Sequence, residues 1–189
     1  MLVCITGQIG SGKTSVLKEF ENLGFKTFEM DEYIHNIYKK DEIGYQLIKK
    51  TFGDLYVNDI EVNRKKLGQL VFNNKEMLDK LNSLTIPIIQ QKIIELKKLN
   101  DDIFVELGIF LNHKTEFENL FDYVILVKGK SELELKKLED LSWFNKKSKI
   151  FSPLKSAEEN KYIVLENNKD KTYIKTLVKN TLEILDVKE

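Results

Sequence analysis

The residues Gly7-Gln8-Ile9-Gly10-Ser11-Gly12-Lys13-Thr14 carry the most specific chemistry in the chain. They fit G-x-x-x-x-G-K-[ST] at every fixed position, directly after an apolar run and directly before a helical pattern. Glycines at these places permit a tight loop whose N–H groups turn inward, and the helix that starts there adds its positive dipole end. Such a loop is an anion cradle for the β-phosphate of a nucleoside triphosphate. The expected contacts are Gly10, Ser11, Gly12, Lys13, Thr14 and Ser15. Lys13 reaches the β- and γ-phosphate oxygens, and the Thr14 hydroxyl ligates Mg²⁺. ATP and Mg²⁺ are the implied cosubstrate and metal.

A cradle does not say what receives the phosphoryl group. Asp31, in Glu29-Met30-Asp31, follows the second strand-like run. Adjacent strands of an open parallel sheet send their carboxyl ends into one crevice, so this carboxylate is expected to face the loop. There it could take a proton from an attacking hydroxyl or orient Mg²⁺ through water, and it could equally cap the helix that follows. Glu106, ending Ile103-Phe104-Val105, is a second acidic candidate, balanced between a metal-site role and none. Lys128 and Lys130 follow the fourth run. Asn167 and Asn168 follow the fifth, where loop amides often meet an adenine and make Asn167 a candidate nucleotide contact, although any of the four reads more simply as a surface loop residue.

These groups need a scaffold. Apolar, strand-like runs at 2–6, 25–30, 103–107, 123–127 and 162–165 alternate with helical patterns at 14–22, 31–40, 41–50, 63–73, 75–84 and 87–99. Pro87 suits the first turn of the last helix. Strands alternating with helices predict an α/β fold with a five-stranded parallel sheet flanked by helices, the P-loop NTPase arrangement. The stretch 31–99 is too long for a simple crossover and predicts a helical subdomain that closes on a substrate. The shift to Lys, Glu and Ser at 131–160, with Trp143 and Phe144, reads as a mobile lid or a solvated helical hairpin, and its place between the last two strands favours the lid. All 189 residues are expected to form one kinase domain.

Composition excludes several classes. Thirty Lys+Arg against thirty Asp+Glu give a formal charge of zero, so no basic field covers the surface to hold nucleic acid or an anionic membrane. No apolar run reaches a membrane span, and no basic leader precedes the first strand. A cytoplasmic, monomeric protein acting on a small molecule is expected. Cys4 is the only cysteine and lies in an apolar run, so it reads as a buried hydrophobe, and His35 and His113 are too scattered for a zinc site. Arg64 is the only arginine among the thirty cations.

Beyond the loop, the chain resembles the dephospho-CoA kinases. The features are Glu29-Met30-Asp31, Phe52-Gly53, Asn63-Arg64-Lys65-Lys66-Leu67 leading to Val71-Phe72-Asn73, then Leu81-Asn82 and Ile86-Pro87-Ile88-Ile89. In order and spacing they are similar to that family's D-x-D, F-G, R-x-x-L…v-F and L-N…H-P-x-I elements, over about residues 1–91. The resemblance implies transfer of the γ-phosphoryl of ATP to the ribose 3′-hydroxyl of dephospho-CoA, the last step of coenzyme A biosynthesis. It makes Lys13 and Asp31 the catalytic pair, with Asp31 the base. Asp31, His35, Phe52 and Arg64 become acceptor contacts.

The departures from that pattern are specific. His35 stands where the family has arginine, Ile86 replaces the H-P histidine, and Gly108-Ile109-Phe110-Leu111-Asn112 replaces P-L-L-F-E. The lid arginines are replaced by Lys136 and Lys137 or are missing. Lysine supplies charge without a bidentate fork. A nucleoside or nucleotide kinase of related fold, or a nucleotide-binding protein without kinase activity, are the other readings.

Overall fold

The computed structural model describes residues 1–129, 148–150, 161–167 and 171–186. They divide into two compact units, one made of Met1–Glu29 with Leu96–Glu189 and the other of Met30–Glu95.

The first unit is built on a sheet of β1 (Leu2–Gly7), β2 (Lys26–Glu29), β3 (Ile103–Glu106), β4 (Tyr123–Lys128), β5 (Ser148–Ile150) and β6 (Tyr162–Glu166). Its order is β2-β3-β1-β4-β6-β5, and every pairing is parallel. The five expected strands are all present. A sixth, three-residue strand, β5, falls inside the stretch expected as a lid and pairs with β6 at the sheet edge. Strand β1 is buried along its whole length, as its uninterrupted apolar run requires of a strand with neighbours on both sides and helices above. The strand order reverses at β1, which puts the crevice for ligands at its carboxyl end.

Helix α1 (Lys13–Asn22) leaves that end and packs back on the sheet through Val16, Leu17 and Phe20. The period of two along the strands sends Val3 and Ile5, Ile125 and Val127, and Ile163 and Leu165 to the same face. There they meet α1 and the C-terminal helix at Lys171–Leu185. Phe20 stacks on Phe104 with centroids 3.8 Å apart, and Phe25 meets both rings edge-on. Cys4 is fully buried, and burial pushes its thiol pKa up, so it stays protonated and unreactive.

The second unit is helical: α2 (Met30–Ile37), α3 (Ile43–Phe52), α4 (Arg64–Phe72) and most of α5 (Lys75–Lys97). Its core is Ile37, Tyr38, Tyr45, Ile48, Val62, Leu67 and Val71. Asn63 caps α4, its Oδ1 accepting from the Lys66 N–H at 3.0 Å.

Two local expectations are corrected. Helix α2 begins at Met30, so Asp31 lies in its first turn instead of capping it, and the helix stops at Ile37 instead of continuing to residue 40. Pro87 does not start a new helix but sits inside the single α5. The missing N–H leaves the Ser83 carbonyl without a helical donor, and Ser83 and Pro87 are both exposed, so water can serve it. Met77, Leu78 and Leu81 before the proline and Ile88 after it pack against one core, which keeps the helix continuous. Among the described residues no helix is long and apolar enough to cross a membrane.

Candidate active site

The loop between β1 and α1 has the conformation its glycines predict. Gly7 has φ +153°, and a Cβ there would overlap the Val127 carbonyl; Gly12 has φ +94° and caps α1 in the left-handed region. The Ser11 N–H donates to the Gln8 carbonyl at 3.2 Å, closing the turn. Lys13 Nζ donates to the same carbonyl at 3.1 Å, so the ammonium folds back over the loop. Ser11 Oγ is buried with no hydrogen-bond partner among the described residues, a polar atom that a ligand or water can satisfy.

Glu106 closes the other side of this group. It ends β3, next to β1, with its Cα paired to Ile5. Its carboxylate accepts from Thr14 Oγ1 at 3.1 Å and lies 4.0 Å from Lys13 Nζ, with both side chains of the ion pair largely buried. Thr14 and Glu106 together present hydroxyl and carboxylate oxygens, the hard donors that suit Mg²⁺. Sequence reading left Glu106 undecided; its position at the carboxyl end of a strand beside the loop is the signal that singles it out. Glu29 ends β2 in register with Glu106 and is exposed.

A cavity of about 570 Å³ opens beside the loop, lined by Gly10, Gly12, Ser15, Lys18, Asn167 and Lys175 among others. Gly10, Gly12, Ser15 and Asn167, each an expected nucleotide contact, thus line one cavity. The Asn167 amide, however, is directed at the loop, donating from Nδ2 to the Ser11 carbonyl at 2.8 Å. Lys128 ends β4, and its carbonyl accepts from the Asn167 N–H at 2.7 Å.

In the Met30–Glu95 unit, Asp31 and His35 stand four residues apart on α2 and so share one helical face. Asp31 is exposed, and the Arg64 guanidinium, at the start of α4, lies 3.1 Å from His35 Nδ1. A guanidinium only donates, so in this contact Nδ1 is placed as the acceptor. The only arginine is thus oriented by the histidine that stands in an arginine's place. Phe52 ends α3, half-buried, with its ring edge-on to Tyr56 at 6.2 Å. That position makes it a support of the unit's core as much as a surface contact. Burial pushes the Tyr38 hydroxyl up to about 12, against a smaller downward pull from Arg64.

Ile86 is half-buried within α5, and Asn112 ends a short 3-10 turn, exposed. Lys130, Lys136, Lys137, Trp143, Phe144 and Asn168, and all of the expected lid except β5, lie outside the described residues.

A parallel sheet whose order reverses at β1, with a G-x-x-x-x-G-K-T loop at that strand's carboxyl end, defines a P-loop kinase. Within that class, the chain belongs to the dephospho-CoA kinase family: the family model described as "Dephospho-CoA kinase" matches residues 1–171. A dephospho-CoA kinase of Mycoplasma genitalium is 39% identical over 136 residues, 70% of this chain and 69% of the relative. One of Lactobacillus johnsonii is 30% identical over 98% of this chain and 91% of its own. The solved dephospho-CoA kinase of Campylobacter jejuni superposes with a TM-score of 0.63 at 25% identity, covering 96% of this chain and 95% of that one.

Proposed function

We propose that this chain transfers the γ-phosphoryl group of ATP to the ribose 3′-hydroxyl of dephospho-CoA, giving ADP and coenzyme A. The observation that carries the chemistry is the convergence of Lys13, Thr14 and Glu106 at the phosphate loop. The family supplies the acceptor.

In this reading the N–H groups of residues 10–15 hold the β-phosphate, and Lys13 leaves the Gln8 carbonyl to follow the charge that builds on the β–γ bridge. Thr14 and Glu106 would hold Mg²⁺, which supplies charge neutralisation at the phosphate oxygens. The Met30–Glu95 unit binds the acceptor. Arg64, oriented by His35, meets an acceptor phosphate, and Asp31, on the same face of α2 as His35, takes the proton of the attacking hydroxyl. The ribose oxygen forms a bond to Pγ as the bond from Pγ to the β-phosphate oxygen breaks, and the proton passes to Asp31. The formal charge of zero favours a small-molecule substrate over a polyanionic partner.

An acceptor screen tests the reading. Dephospho-CoA should turn over best among nucleosides, nucleotides and pantetheine derivatives; turnover of a nucleoside with none of dephospho-CoA contradicts it.

A further inference from the structure

The Ser11–Gly12 peptide is gripped from outside the phosphate loop. Asn167 Nδ2 donates to the Ser11 carbonyl at 2.8 Å in a buried hydrogen bond, and Asn167 itself is 3% exposed. The Asn167 N–H donates at the same time to the Lys128 carbonyl, which ties the residue to the end of β4. A Cβ on Gly12 would overlap Asn167 Nδ2, so the amide occupies the space that glycine leaves.

A trans peptide is planar, with its C=O and N–H pointing opposite ways. Fixing the Ser11 carbonyl toward Asn167 therefore turns the Gly12 N–H to the opposite side. Gly12 needs such a restraint: without a Cβ it tolerates either orientation of the peptide, and left alone it would sample both. A cradle that must first be ordered binds its anion more weakly than one already set.

We propose that Asn167 is a positioning residue for the phosphate cradle: its amide holds the Ser11–Gly12 peptide so that the Gly12 N–H is presented to the β-phosphate before nucleotide arrives. It acts through the loop and does not read the adenine. The inference rests on the reading of this loop as the ATP site.

The test separates the two ends of the nucleotide. Tripolyphosphate and adenosine are titrated calorimetrically into the full-length wild type and into Asn167→Ala. The wild type should bind both. The variant should bind tripolyphosphate about tenfold more weakly, the scale of losing one buried hydrogen bond at a charged site, with adenosine affinity within about twofold. A loss confined to adenosine, an equal loss of both, or a lowered melting temperature with neither affinity changed would each overturn the proposal. A wild type that binds neither probe would instead overturn the reading of the loop as an ATP site.

If Asn167→Ala does not fold or adenosine binds too weakly to titrate, the amide NMR signals of the wild type decide. The Asn167 side-chain NH₂ should be protected from exchange without ligand, and the Gly12 N–H should shift downfield with tripolyphosphate. A solvent-exchanging NH₂, or an unmoved Gly12 signal, contradicts the proposal.

Discussion

The two units of this chain meet the same problem, handling phosphate with a single arginine, in different ways. In the sheet unit the proposed phosphate site is made of backbone N–H groups and Lys13, backed by Glu106 at the end of β3 and Asn167 just past β6. Backbone amides do not depend on which side chains the composition favours. In the Met30–Glu95 unit the proposed recognition rests on side chains, and there the one arginine is paired with His35 across 29 positions. On the proposed reading, the scarcity of arginine leaves the nucleotide site untouched and concentrates acceptor recognition on a single fork.

Breaking the machinery on either side should have the largest effect. Lys13→Ala should lower kcat by about 10³-fold or more, and Asp31→Ala by about 10²–10⁴-fold, with both proteins folded by circular dichroism. Substantial turnover in either variant removes its assigned role. Next comes Glu106→Gln, which keeps the shape and removes the charge. It should cost about 10–100-fold in activity and raise the Mg²⁺ concentration needed for half-maximal rate. An unchanged Mg²⁺ titration would reduce Glu106 to a partner of Thr14.

The comparison is sharpened by Arg64→Lys, which keeps the charge and loses the fork. KM for dephospho-CoA should rise about tenfold while KM for ATP stays put, as the proposed assignment of Arg64 to the acceptor requires. An equal rise in both would merge them.

The smallest effect concerns stability. Burial holds the Tyr38 proton on in the folded chain to about pH 12, whereas the unfolded chain loses it near 10. Its contribution is complete below about pH 10 and is lost as the pH climbs toward 12, on the order of 2 kcal/mol. Urea denaturation of Tyr38→Phe should show a shallower decline over that window. Part of the decline should remain, because Tyr162 is also raised by burial and by its hydrogen bond to Glu118. Parallel declines in the variant and wild type would contradict the assignment to Tyr38.

What could be read from the sequence divides along the same line. The phosphate loop and its flanking strand and helix are local, fixed by glycine spacing and by an apolar run with no polar face, and they stand where expected. The helices between β2 and β3 were legible as helices but not in their limits. The Pro87 break was overridden by tertiary packing of Leu81 and Ile88 on one core, and Asp31 slipped from cap to first turn. Edge strand β5 has three residues, too few for periodicity to show. Pairings between distant residues, His35 with Arg64 and Asn167 with Ser11, leave no mark on spacing at all. They depend on where helices and strand ends meet.

The most direct test of the central claim is a coupled assay of ADP release, with dephospho-CoA as acceptor and Lys13→Ala run alongside. The account predicts ADP release that requires dephospho-CoA and disappears in the variant. ADP formed without dephospho-CoA turnover, or none formed with any acceptor, would contradict it.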